Sequence, residues 1–127
     1  MTTFDELAGR YIAIWNETDP RQRRAAIDEL WTADARYVDP LGVAEGREEI
    51  DRLVAAVQDQ FPGMLFRLVG PVDGHHDQLR FTWELGQAGA EAPVVGFDVA
   101  VTDGDGRLRQ VLGFLDRVPA GGPDADR

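Results

Sequence analysis

The chain predicts an α+β fold, with helices in its first half and a meander of strands in its second. Three observations lead to this. Phe4, Leu7, Ala8, Tyr11, Ile14 and Trp15 recur at helical spacing and mark one apolar face. Leu79, Phe81, Trp83 and Leu85 alternate with Gln78, Arg80, Thr82 and Glu84, the period of a half-buried strand. Helical patterns precede strand patterns without interleaving, which places the helices together on one face of one sheet.

Each element has its own signals. Thr3-Phe4-Asp5-Glu6 reads as a capping box that opens the first helix, with Thr3 capping and Glu6 reaching back. Asp19-Pro20 restarts the chain as cap and first helical residue. Ile27, Leu30 and Trp31 form the apolar side of that second helix, which is expected to stop near Ala33-Asp34. A third helix opens at Gly46-Arg47-Glu48-Glu49, where the early acids suit the helix dipole. Its core stripe is Ile50, Leu53, Val54, Val57 and Phe61, and Pro62-Gly63 ends it. A short apolar run from Met64 to Val69 breaks at Gly70-Pro71, and the alternating strand follows. Pro93 to Thr102 is apolar on both faces, as for a central strand covered on both sides. Asp103-Gly104-Asp105-Gly106 turns it into a last strand, Arg107 to Arg117. With no repeat or linker, residues 1–118 make one domain, and 119–127 read as a disordered tail.

Composition narrows the function. With 127 residues, 43% of them hydrophobic, the chain is long enough for one well-filled core. No apolar run approaches the ~20 residues of a membrane span, and the first residues lack a signal-peptide pattern. A cytoplasmic protein is the expectation. A net charge of −10 argues against nucleic acid and anionic membranes, and points to a ligand that is neutral and apolar. The basic cluster Arg21-Gln22-Arg23-Arg24 reads as a solvated helix face. The chain has neither cysteine nor serine, which removes disulfides, thiolate metal sites and both of those nucleophiles. His75-His76 between Asp73 and Asp77 has no distant third histidine and reads as an exposed loop, so no metal is expected. Asp103 to Gly106 lacks the downstream glutamate of a calcium loop. No glycine-rich turn opens a helix after a strand, and no cofactor is called for.

Three residues stand out chemically. Asp98 lies inside Pro93-Val94-Val95-Gly96-Phe97-Asp98-Val99-Ala100-Val101, where an ionised carboxylate is costly. It shares a strand face with Val94, Gly96 and Ala100, so burial is expected to raise its pKa and favour the protonated acid. Asp39 closes the short aromatic strand in Arg36-Tyr37-Val38-Asp39-Pro40-Leu41-Gly42, and Tyr11 sits on the first helix stripe. Taken singly, each has a plain explanation. Asp39 caps a turn, Asp98 pairs with an arginine such as Arg10 or Arg36, and Tyr11 is core with a satisfied hydroxyl. Aimed together at one apolar cavity, they make a proton-transfer site: a base, and donors for a developing oxyanion. Trp15, Trp31 and Trp83 either line that cavity or fill ordinary core.

Gly9-Arg10-Tyr11-Ile12-Ala13-Ile14-Trp15-Asn16, Tyr37-Val38-Asp39-Pro40-Leu41-Gly42 and Gly46-Arg47-Glu48-Glu49-Ile50 together resemble the NTF2-like superfamily. Within it the pattern is most similar to the ketosteroid isomerases and the SnoaL-like polyketide cyclases, over nearly the whole chain to Arg117. The resemblance implies a curved antiparallel sheet wrapped by three helices into a cone with an apolar pocket, and a homodimer through the sheet. It implies that Asp39 is the general base, Tyr11 the oxyanion-hole phenol and Asp98 the protonated acid. Trp15, Val54, Phe81, Trp83, Leu85, Val111 and Leu115 are the expected pocket residues. Val54 stands where the isomerases carry a second tyrosine that supports the first.

The function expected on these grounds is cofactor-independent proton transfer beside a carbonyl, in a small apolar steroid- or polyketide-like substrate. The alternative, from a different class, is a non-catalytic module that binds a hydrophobic ligand or dimerises. Epoxide hydrolysis, which in related folds resembles an Asp-Arg-Asp arrangement, ranks low because Gly96 takes the place of the arginine two residues before Asp98.

Overall fold

The computed structural model describes residues 2–119, so residues 120–127 of the expected disordered tail lie outside the described residues. Three helices, α1 (Phe4–Asn16), α2 (Pro20–Leu30) and α3 (Arg47–Gln60), cover one face of a six-stranded sheet. Its strands are β1 (Trp31–Asp39), β2 (Gly42–Glu45), β3 (Leu65–His75), β4 (Gln78–Gly86), β5 (Val94–Thr102) and β6 (Leu108–Arg117). They lie in the order β2-β1-β6-β5-β4-β3. The architecture is α+β, as expected, but the sheet is mixed: β1 runs parallel to β6, and the other neighbouring pairs are antiparallel.

The helix caps at Thr3 and Asp19 form, but among the described residues the Glu6 side chain makes no return bond to the Thr3 amide, so the capping box is half-formed. Thr3 accepts from the Glu6 amide at 3.0 Å, and Asp19 accepts from the amides of Arg21 and Gln22 ahead of α2. Three boundaries differ from expectation. α2 ends at Leu30 rather than near Ala33-Asp34, and Trp31 is already the first residue of β1. The Trp31 side chain is fully buried, its carbonyl accepts two bonds from the Arg47 guanidinium, and its backbone lies beside Leu108. Tertiary pairing there outweighs the helical spacing of Ile27, Leu30 and Trp31. β3 does not break at Gly70-Pro71 but continues to His75. Its register slips between Val69 and Asp73, and Gly70 takes φ +73°, a bulge that absorbs the proline without ending the strand. The four-residue β2, too short to show a period, is defined only by its pairing with β1.

Two polar clamps fix the helices, one against the sheet and one against each other. The Asn16 side chain at the end of α1 mimics a strand neighbour: its amide donates to the Phe66 carbonyl and its oxygen accepts from the Phe66 N–H, both at 2.8 Å. On the other side, buried Arg23 of α2 binds Asp51 of α3 at 2.6 Å, while Gln58 of α3 donates to the Trp15 and Glu17 carbonyls. These contacts set the depth of Trp15 and Phe66 in the core. We expect Asn16→Ala to cost about 1–3 kcal/mol in urea unfolding with an unchanged m value, because it strands two partly buried backbone groups.

Candidate active site

The inner face of the sheet is read along its register. Asp98 on β5 lies opposite Phe81 on one side and Gly113 on the other, while Trp83 lies opposite Gly96 and Tyr37 beside Val111. Glycine at 96 is required by packing, because any side chain there would overlap the Trp83 indole, which lies flat on the strand. Glycine at 113 leaves the space in which the polar groups meet. A methyl on Gly113 would lie 2.9 Å from Asp98 Oδ1, 3.3 Å from Asp39 Cβ and 3.4 Å from the Tyr37 hydroxyl. Around that one point lie the Asp98 carboxyl, the Asp39 Cβ and the Tyr37 hydroxyl that binds the Asp39 carboxyl, although the two aspartates are separated by 59 positions in sequence.

Asp98 is 1% exposed and has no ion pair among the described residues. The arginines considered as its partners are engaged elsewhere, Arg10 with Glu29 and Arg36 with Glu45. Its Oδ2 accepts from the Tyr11 hydroxyl at 2.8 Å, and its buried Oδ1 has no partner. Burial raises its pKa from 3.8 to about 6, with Trp83 and Tyr11 pulling the other way and the Asp39 charge adding to the rise. At pH 7 a pKa near 6 leaves only about a tenth of the molecules protonated. The shift has the expected direction and reaches the neutral range without making the neutral acid the dominant form there.

Asp39 caps the turn, as one reading of the sequence has it, and also faces the cavity. Its Oδ1 caps the turn, accepting from the amides of Leu41 at 2.8 Å and Gly42 at 3.1 Å. Its Oδ2 accepts from the Tyr37 hydroxyl at 2.8 Å inside the cavity. Both phenols titrate well above 10, chiefly through burial and then through the Asp98 charge, so they remain protonated donors at neutral pH.

The cavity holds about 70 Å³, far less than the ~300–1,000 Å³ of sites for drug-sized ligands. Its apolar walls include Ile12, Val57, Phe61 and Phe66, and among the described residues it is lined by no arginine, lysine or histidine. Tyr11, Asp39 and Asp98 all line it, as do Trp15, Trp83, Leu85 and Leu115. Val54, Phe81 and Val111 are buried in the core instead of lining it. Phe81 packs against the Tyr11 ring at 5.5 Å, and Trp31 lies 5.9 Å from the same ring as core. Tyr37 was not among the expected site residues. Its signal was present, since Tyr37 and Asp39 are two apart on one strand and so share a face. His75 ends β3 and His76 follows it in an exposed turn; among the described residues no cluster could hold a metal ion. No helix among these residues is long and apolar enough to cross a membrane.

A SnoaL-like domain model matches residues 8–111. The chain belongs to the SnoaL-like family. It is similar to a SnoaL-like protein of Agrobacterium tumefaciens C58, provisionally described as an isomerase, at 39% identity over 91% of this chain and 99% of that one, with a TM-score of 0.86. A SnoaL-like protein of unknown function from Burkholderia thailandensis E264 shares the fold at 16% identity and a TM-score of 0.70, covering 91% and 97% of the two chains. A Sinorhizobium meliloti protein, provisionally described as a polyketide cyclase, does so at 15% identity and a TM-score of 0.67, covering 85% and 93%. Curated proteins yield no significant match.

The raised pKa has a thermodynamic consequence. Folded Asp98 holds its proton more tightly than the unfolded chain does, so folding takes up a proton between pH 3.8 and about 6. Stability should therefore fall by about 3 kcal/mol from this group as pH rises through that window, and level off above it. In Asp98→Asn that component should vanish; urea midpoints of both proteins from pH 4 to pH 7.5 measure the difference.

Proposed function

We propose that this SnoaL-like domain is a cofactor-independent isomerase or cyclase that transfers a proton beside the carbonyl of a small, neutral substrate. The observation that carries this reading is that Asp98 and Asp39 line one largely apolar cavity, with Asp98 Oδ1, the Asp39 Cβ and the Tyr37 hydroxyl bound to Asp39 grouped around Gly113. Asp39 takes the proton from carbon, becoming the neutral acid while the carbonyl becomes an enolate, and returns it to another carbon. The naming of the Agrobacterium relative as a provisional isomerase agrees with this class.

A count of hydroxyl protons defines the role of Asp98. Tyr11 spends its single O–H on Asp98, and Tyr37 spends its own on Asp39. A carbonyl oxygen entering this arrangement finds a free donor when Asp98 carries a proton on Oδ1, the atom that otherwise has no partner. An enolate held by that acid, itself supported by Tyr11, is stabilised as its charge develops. The lack of a lining cation selects against anionic substrates, and the small cavity favours a compact carbonyl compound over a steroid nucleus.

The test is deuterium uptake by a panel of small enones and β-keto esters. Asp39→Asn should lower the rate by about 10²–10⁴-fold; equal rates in wild type and variant leave binding alone as the function. For wild type the rate should decline as pH rises above about 6, because the donor form of Asp98 is lost. Asp98→Asn, whose amide donates at every pH, should lack that decline.

We also propose a homodimer through the outer face of the sheet. There Val95, Phe97, Val99 and Leu112 are only half-buried, and Phe114 is 56% exposed. Sedimentation equilibrium should give twice the chain mass of 14.0 kDa for wild type and the single mass for Phe114→Asp.

A further inference from the structure

An ionised carboxylate offers about four lone-pair positions, two on each oxygen. Asp39 fills both positions of Oδ1 with the Leu41 and Gly42 amides, and one position of Oδ2 with the Tyr37 hydroxyl. One acceptor position remains, on Oδ2. Tyr37 itself is held firmly: it is 3% exposed, its ring packs tilted against Trp15 at 5.5 Å, and its backbone is fixed between Ala44 of β2 and Val111 of β6. Its hydroxyl reaches the same space beside Gly113 that Asp98 Oδ1 faces.

We propose that Tyr37 is a positioning residue for Asp39, leaving a single carboxylate lone pair free to take the substrate proton. The inference rests on the reading of Asp39 as the base. The two amides alone hold Oδ1 but leave two positions open on Oδ2, so a proton from carbon could be approached along two directions. The phenol closes one of them. It also gives the cavity-facing oxygen of Asp39 a hydrogen-bond donor inside a largely apolar cavity, without supplying a charge that would attract an anion. Because Tyr37 meets the carboxylate and not the reacting carbon, its loss should impair the chemical step more than binding. Misplacement of a catalytic group by about 1 Å costs up to about 10²-fold in rate.

The experiment uses a β,γ-unsaturated cyclohexenone in deuterium oxide as the probe, with wild type, Tyr37→Phe and Asp39→Asn. In Tyr37→Phe, kcat for exchange should fall about ten- to hundred-fold with KM nearly unchanged, while Asp39→Asn abolishes exchange. Tyr37→Phe exchanging at the wild-type kcat, with Asp39→Asn inactive, overturns the positioning role and leaves Asp39 as base. Wild-type exchange in Asp39→Asn removes the base itself, and the inference with it. A second readout needs no substrate and no Tyr37 variant. Proton NMR of wild type should show a slowly exchanging, downfield hydroxyl proton on the Tyr37 ring that moves upfield in Asp39→Asn. A Tyr37 hydroxyl signal indifferent to Asp39→Asn overturns the proposal even if Tyr37→Phe does not fold.

Discussion

Burial of one carboxyl, Asp98, organises the inner face of this sheet. A buried ionised acid without a cation is costly, and here the compensation comes from the Trp83 indole and from the Tyr11 phenol bond to Oδ2, with Oδ1 left without a hydrogen-bond partner. The neighbours follow from that choice. Tyr11 must reach across from α1, which fixes how that helix lies on the sheet. Gly113 must lack a side chain, since a methyl would press on the bare oxygen at 2.9 Å. Gly96 must be bare as well, so that the Trp83 ring can lie flat beside the acid. A carboxyl that would be a defect in an inert core becomes a proton-binding group that titrates near neutrality.

Asp39 shows why a structural and a chemical explanation of one residue need not compete. Its two oxygens do different work: one closes the β1–β2 turn with backbone amides, and the other faces the cavity. The turn is what makes the carboxyl rigid, and rigidity is what a base requires to act on a weakly acidic carbon. The sequence motif Asp39-Pro40-Leu41-Gly42 thus encodes a turn and a rigid cavity-lining carboxyl together.

Much of this was legible because local signals and packing agree. The capping residues Thr3 and Asp19 and the alternation in β4 are determined by residues close in sequence, and they appear as read, apart from the return bond expected of Glu6. Where a distant partner decides, the sequence misleads. Trp31 joins a strand because Leu108 lies beside it and Arg47 binds its carbonyl. β3 survives Gly70-Pro71 because β4 pairs with it on both sides of the bulge. In the candidate site, strand period assigns a residue to a face but not to a depth. Phe81 and Trp83 share the inner face, yet the Tyr11 ring covers Phe81 while Trp83 reaches the cavity. Tyr37 was overlooked for the converse reason: an aromatic on a strand reads as packing, and only the fold reveals where its hydroxyl ends.

The parallel β1–β6 pair also bears on how the protein comes into being. Tyr37 and Asp39 sit on a strand made early in synthesis, whereas their neighbours Val111 and Gly113 belong to the last strand. Tyr11 meets an acid 87 positions away. Closing such distant contacts costs chain entropy before any contact repays it, so the cavity is among the last features to form on the ribosome or in refolding. Until β6 docks, β1 presents an unpaired edge with Tyr37 upon it. The segment that completes the cavity is therefore also the one that protects the nascent sheet from pairing with other chains.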